Sequence, residues 1–214
     1  MSLDLPKVYP ITDTHLSGLS HAQQVARLIE GGASLIQLRD KNAAPQEFYR
    51  EAAAALQIAR DHNARLIIND RVDVALALKA DGVHLGQTDL PVEAARRLLG
   101  KGAIIGFSTH NLRQAKSATA MPVDYIAFGP VFQTSSKENP EPVAGLSALR
   151  KARAIIGSLP LVAIGGITVA NALEVLQAGA DALAIIADLL ADPMKIEENT
   201  AKILALSASA PNAH

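Results

Sequence analysis

The strongest constraint on this chain is a rhythm. Eight times over, a short run of β-branched and apolar residues gives way to a longer segment carrying Ala, Leu, Gln, Glu and Arg. The short runs predict strands over 8–12, 35–38, 66–68, 82–85, 104–107, 125–128, 161–164 and 183–186. They are continuous rather than alternating, which suits strands buried on both faces of a parallel sheet. The longer segments predict helices over 21–30, 45–62, 72–79, 91–99, 112–118, 146–156, 169–178 and 193–206. Pro45, Pro91 and Pro193 stand near helix starts, where a missing N–H costs least. Gly31-Gly32, Gly100 and Gly179 follow helices, as C-terminal caps do.

Eight strand–helix units in 214 residues predict an α/β fold, a single-domain (β/α)8 TIM barrel. The competing architecture is an open doubly wound sheet. Even repeat spacing, and the lack of a glycine-rich dinucleotide turn after the first strand, favour the barrel. No composition shift divides the chain. The expected domain is 1–206, with 207–214 as a flexible tail of Ala, Ser, Pro and Asn.

Composition narrows the function. With 49% hydrophobic and 19% charged residues, the chain can bury a sizeable core and is not disordered. A net charge of -1 without a basic stripe gives nucleic acid no footprint. The count of 0 cysteines excludes disulfides and thiolate metal sites and is simplest in a reducing cytoplasm. Every apolar run is interrupted before it reaches membrane-span length, and residues 1–7 are too short and polar for a signal peptide. Aromatics at 3% with 0 Trp disfavour base-stacking platforms.

In a barrel the chemistry lies beyond the carboxyl ends of the strands. Asp70 follows the third strand and Asp89 the fourth, so both emerge at one rim. Each alone reads equally as a helix N-cap. Together, with Asn69 adjacent, they form a pair of hard oxygen donors suited to Mg²⁺, which takes one or two carboxylates plus water and phosphate. Asp73 falls inside a helix, and Asp81 precedes its strand and belongs to the opposite rim.

The second strand leads into Gln37, Leu38, Arg39, Asp40 and Lys41, where two cations either clamp an anion or close a strand-end salt bridge. Ser108, Thr109 and His110 follow the fifth strand. A buried, satisfied histidine is the commoner outcome for His110 and His84, and no nucleophilic triad is visible. The loop 129–137 carries Thr134, Ser135, Ser136 and Lys137, ingredients of an anion cradle or of a polar lid. Gly165-Gly166 after the seventh strand, with Ile186, Ala187 and Asp188 after the eighth, fit the phosphate site of such barrels.

In this order the motifs Q-L-R-D-K (37–41), I-I-N-D-R-V-D-V-A (67–75), G-V-H-L-G-Q-T-D (82–89), G-F-S-T-H (106–110), G-P-V-F-Q-T-S-S-K (129–137) and A-I-G-G-I-T (163–168) strongly resemble the thiamine phosphate synthase family. The resemblance covers nearly the whole chain. It implies a transferase that couples an aminopyrimidine methyl diphosphate to a thiazole phosphate, releasing pyrophosphate. It further implies that Gln37, Leu38, Arg39, Asp40, Lys41, Asn69, Ser108 and Lys137 hold the pyrimidine diphosphate. Asp70 and Asp89 would hold Mg²⁺. Thr134, Ser135, Ser136, Gly166, Ile186 and Ala187 would hold the thiazole phosphate. Catalytic roles fall to Arg39, Lys41, Ser108 and Lys137.

Two departures stand out. Ser136 replaces a usual threonine and keeps the hydroxyl. Ala187-Asp188 replaces serine and a small residue, so Asp188 is expected to face away or cap the final helix; its carboxylate inside the phosphate pocket would put that pocket in question. The alternatives are a thiazole tautomerase using His110 as acid/base, a silent barrel binding thiamine precursors, and another phosphate-binding barrel isomerase. The expected partners are small molecules, with neither nucleic acid nor membrane, and a homo-oligomer is left open.

Overall fold

A computed structural model describes residues 3–134 and 141–208. Strand β1 (Val8–Pro10) precedes two helices, α1 (Thr14–Ser17) and α2 (His21–Glu30). There follow β2 (Leu35–Leu38), α3 (Pro45–Asp61), β3 (Arg65–Asn69), α4 (Val72–Leu78), β4 (Gly82–Leu85) and α5 (Val92–Leu99). The second half holds β5 (Ile104–Thr109), α6 (Leu112–Ala118), β6 (Tyr125–Phe128), α7 (Gly145–Ile156), β7 (Leu161–Ile164) and α8 (Ala172–Gln177). Strand β8 (Ala182–Ile185) leads to α9 (Ala187–Leu190), a short 3₁₀ turn and α10 (Ile196–Ala208).

All eight strands pair in parallel, in the order β1-β8-β7-β6-β5-β4-β3-β2. A bridge between Ile11 and Gln37 joins β1 to β2, with the Thr12 N–H donating to the Gln37 carbonyl at 2.9 Å. The sheet is therefore a barrel, as the eightfold pattern predicts. The core has two layers. Between sheet and helices pack Leu28, Ile36, Leu38, Phe48, Leu66, Ile68 and their neighbours. Inside the barrel lie Tyr9, Ile11, Leu35, Ile67, Tyr125 and Val162. Strand alternation sorts the side chains between these layers, because successive residues face opposite ways.

Helix ends follow local chemistry. Ser20 and Gln23 form a capping box at α2, each side chain accepting from the other's backbone N–H. Several element boundaries differ from the periodic reading, α8 and α10 among them. Helix α8 starts at Ala172 rather than 169, because Thr168 N–H donates to Asn171 Oδ1 and fixes a turn ahead of the helix. Helix α10 reaches Ala208, beyond the expected end at 206. Ser207, expected in the tail, is buried with its hydroxyl donating to the Leu204 carbonyl.

The amino-terminal rim carries a repeated device. Asp81, Asp124 and Asp181 each stand one residue before an even-numbered strand. Their Oδ2 atoms accept the N–H of Leu66, Ile105 and Leu161 on the preceding strand at 2.8, 2.7 and 2.8 Å. Arg96 and Arg153 pair with Asp124 and Asp181 at 2.5 and 2.6 Å. Asp81 thus sits at the rim opposite Asp70 and Asp89, as its place before a strand implies. Asp181→Ala leaves the Leu161 N–H without its acceptor and should cost about 2 kcal/mol of stability. Urea unfolding checks that loss, while turnover at the distant rim should be unchanged.

Candidate active site

One cavity of about 650 Å³ opens at the carboxyl-terminal rim. Every strand from β2 to β8, or the segment that follows it, contributes to its lining, from Gln37, Arg39 and Lys41 round to Ile186, Ala187 and Asp188. Asn69, Asp70, Asp89, Ser108, Thr134 and Gly166 all lie on it. Ser135, Ser136 and Lys137 fall outside the described residues.

The end of β2 brings only part of the expected anion clamp to the cavity. Gln37, Arg39 and Lys41 line the cavity, whereas Leu38 is fully buried in the layer between sheet and helices. Asp40 does not line the cavity either. Its Oδ1 accepts the N–H groups of Asn42 and Ala43 at 2.9 and 3.0 Å, and its Oδ2 lies 3.7 Å from His21 Nε2. Burial would raise the Asp40 pKa, but those N–H groups and the His21 ring outweigh it and hold the carboxyl below its usual range. Strand alternation accounts for Leu38, because β2 sends Gln37 and Leu38 to opposite faces, whereas Asp40, beyond the strand's end, is turned aside by the N–H groups of Asn42 and Ala43. Arg39 is steadied from behind by Asp13 at 4.0 Å.

Asp70 and Asp89 meet. Asp70 sits at φ +61°, a left-handed conformation that Asp tolerates better than most residues. Its N–H donates to the His84 carbonyl of β4 at 2.8 Å, which turns the chain sharply out of β3. The Asp89 Oδ2 accepts the Gly86 N–H at 2.6 Å and holds the loop after β4. The two carboxyl groups lie within hydrogen-bonding range of each other. Burial first, then the hydrogen bond and negative charge of Asp89, push Asp70 up to about 6, against the downward pull of Lys41. The Lys41 Nζ is 3.6 Å from Asp70 Oδ2. Crowded carboxylates at an open mouth are what a divalent cation relieves, and two such oxygens fit Mg²⁺ with water and phosphate completing its shell. Among the described residues no cluster of three or more His, Asp or Glu side chains suits a metal.

Beneath the cavity runs a buried hydrogen-bonded chain that sequence reasoning did not assemble. Gln37 Nε2 donates to the Tyr9 hydroxyl at 3.1 Å, and the Tyr9 and Tyr125 hydroxyls are 2.9 Å apart. The Tyr125 hydroxyl is 2.8 Å from His84 Nδ1, and His84 Nε2 is 2.8 Å from Ser108 Oγ. The signal in the sequence is Gly106. A Cβ there would lie 2.0 Å from the Tyr125 ring, so only glycine admits the tyrosine. His110 Nδ1 lies 2.8 Å from the Gly129 carbonyl, which can only accept. That fixes a proton on Nδ1, so the neutral ring has its Nε2 bare.

At the β7 and β8 ends, Gly165 (φ +100°) and Gly166 (φ +63°) fold a turn against the loop after β6. A Cβ on Gly166 would be 2.4 Å from the Gln133 carbonyl and 2.7 Å from Phe132 Cβ. Asn171, unremarked in the sequence, braces the turn by donating to the Gly166 carbonyl at 2.9 Å and accepting from Thr168 N–H at 2.8 Å. Asp188 does not cap the final helix. It lines the cavity, and its Oδ2 accepts the Val169 N–H at 2.8 Å. A dianion placed beside that carboxylate would be repelled.

The family model described as thiamine monophosphate synthase matches residues 8–189. The chain is 48% identical over 180 residues to the thiamine-phosphate synthase of Methanocella arvoryzae, covering 84% of each chain. It is 43% identical over 209 residues to that of Koribacter versatilis, covering 94% of this chain and 97% of the relative. Among solved structures it is similar to the thiamine phosphate pyrophosphorylase from Pyrococcus furiosus. The TM-score is 0.83 at 38% identity, over 94% of this chain and 96% of that one.

Proposed function

The chain belongs to the thiamine monophosphate synthase family, and we propose that it is a transferase joining a pyrimidine-methyl diphosphate to a thiazole phosphate to give thiamine phosphate and pyrophosphate. The observation that carries this reading is convergence. The paired carboxylates Asp70 and Asp89, the cations Arg39 and Lys41 and the glycine turn at 165–166 share one cavity, so one mouth offers both a metal-assisted diphosphate seat and a separate phosphate seat.

Asp70 and Asp89 would hold Mg²⁺, which when bound neutralises the diphosphate and makes it a better leaving group. Arg39 offers a planar fork, and Lys41 a point charge, to the charge that grows on the departing pyrophosphate. Lys137 would join them by family pattern. Ser108 and Gln37 position the pyrimidine side, while Thr134, Gly166, Ile186 and Ala187 seat the thiazole phosphate away from Asp188. Loss of pyrophosphate leaves a pyrimidine-stabilised methyl cation, and the thiazole nitrogen attacks it. No protein nucleophile takes part. Holding the two partners in line is worth much of the barrier, since orientation converts a bimolecular encounter into an internal one. No described helix is long and apolar enough to cross a membrane, and we propose a cytoplasmic enzyme.

The test is direct. Purified protein with both substrates and Mg²⁺ should yield thiamine phosphate and pyrophosphate in equal amounts. A protein that only interconverts thiazole phosphate isomers, using the bare Nε2 of His110, overturns the assignment. So does one that binds precursors without turnover.

A further inference from the structure

We infer that Tyr9 and Tyr125, which do not reach the cavity, fix the tautomer of His84 and thereby the direction in which Ser108 presents its hydroxyl proton. The amide nitrogen of Gln37 faces the Tyr9 hydroxyl and can only donate. Tyr9 therefore accepts from Gln37 and must place its own proton elsewhere. Its hydroxyl is buried, and Tyr125 is its one other polar partner among the described residues. Tyr9 accordingly donates to Tyr125. The Tyr125 oxygen now accepts, so its proton goes to His84 Nδ1. With Nδ1 accepting, neutral His84 carries its proton on Nε2 and donates it to Ser108 Oγ. Ser108, already accepting, keeps its own proton as a donor directed toward the cavity.

Reversing the chain would leave the Tyr9 proton buried without an acceptor, a cost that buried polar groups rarely bear. Burial raises the pKa of both phenols well above the ordinary value, so neither ionises in the working range and the two tyrosines stay neutral. Close packing holds the members in place. The Tyr9 and Tyr125 rings meet edge to face with centroids 5.8 Å apart, and His84 stacks on Tyr125 at 5.5 Å. Gly106 clears the space Tyr125 occupies. Tyr9 and Tyr125 are positioning residues. What Ser108 donates to, the departing diphosphate or the pyrimidine, rests on the proposed function; the tautomer of His84 does not.

The experiment is nitrogen-15 NMR of the labelled full-length protein, with the His84 signals assigned by their disappearance in His84→Gln. The expected wild-type pattern is a protonated Nε2 and a bare Nδ1. Tyr125→Phe, which keeps the ring but removes the hydroxyl, should shift His84 to a mixture of tautomers. It should also lower the coupling kcat by roughly tenfold, the scale at which orienting partners of site residues act, with the KM for thiazole phosphate unchanged. Tyr9→Phe leaves Tyr125 able to donate to His84, and should have a smaller effect on both readouts. A wild-type Nδ1–H tautomer overturns the polarity, because that state requires the Gln37 amide to turn its oxygen to Tyr9. A Tyr125→Phe enzyme with full kcat overturns the positioning role. If that variant does not fold, the wild-type spectrum alone still decides the polarity. A protein with the expected tautomer but no coupling activity would refute the proposed reaction while leaving the relay intact.

Discussion

Asp70→Asn should leave a more stable protein that scarcely turns over. The coupling rate is expected to fall by roughly 10²–10³, the usual cost of removing one preorganised group that answers transition-state charge. The stability gain comes from the same carboxyl. Its pKa in the folded protein is raised to about 6, chiefly by burial and then by Asp89, so the folded state holds this proton more tightly than the unfolded chain does. Above pH 6 the folded wild type bears the full cost of an ionised Asp70, and the cost fades as pH falls from 6 toward 4. Allowing for solvent screening at this partly exposed site, Asn should gain about 1–2 kcal/mol at pH 7.5 and almost none at pH 4. Asn is the right replacement because the residue stands at φ +61°, which Asn tolerates and Ala does not. Thermal unfolding across this pH range, with and without Mg²⁺ and inorganic pyrophosphate, provides the measurement. Wild type should gain stability from the added pair and the variant should not. Intact coupling in Asp70→Asn would remove the metal from the proposal.

Gly166→Ala should strike the other half of the reaction. The added methyl requires a left-handed conformation unfavourable to Ala and would meet the Gln133 carbonyl at 2.4 Å. Because the obstacle is backbone, the loop after β6 has to retreat, and Thr134 retreats with it. Misplacing a substrate-positioning loop by about 1 Å costs on the order of 10² in rate. We expect kcat/KM for thiazole phosphate to fall by roughly that factor, with a stability loss of about 1–3 kcal/mol. Binding of the pyrimidine diphosphate, measured separately by calorimetry, should be nearly unchanged. If the diphosphate affinity falls instead, the phosphate seat has been assigned to the wrong end of the cavity.

Most of this arrangement is legible in the sequence because its carriers are local. The eight apolar runs fix eight strands, and helices such as α2 and α6 end where their caps and periodicity stop. The acids at 70 and 89 are readable as a pair since consecutive parallel strands bring their ends to one rim. Other parts depend on tertiary neighbours. Strand β5 runs to Thr109, beyond the expected 107, because its partner β6 continues to pair through Phe128. Helices α1 and α9 are four residues each, too short for a periodic signal. The motif 37–41 is contiguous in sequence but not in space, since Leu38 points to the helix layer and Asp40 turns back to the Asn42 and Ala43 N–H groups. Tyr9 and Tyr125 are 116 positions apart, and nothing in either segment announces that their hydroxyls meet. The charge of Asp188 does not tell where it points, because a backbone N–H from the neighbouring loop decides that.

The seam of the barrel gives one last consequence. Seven strand junctions are continuous ladders, while β1 meets β2 through a single bridge at Ile11 and Gln37. Breathing of a folded protein begins where the fewest contacts must part. Both bridge residues also line the cavity, so a guest resting there would act as a stitch across the join and make the loaded cylinder stiffer than the empty one.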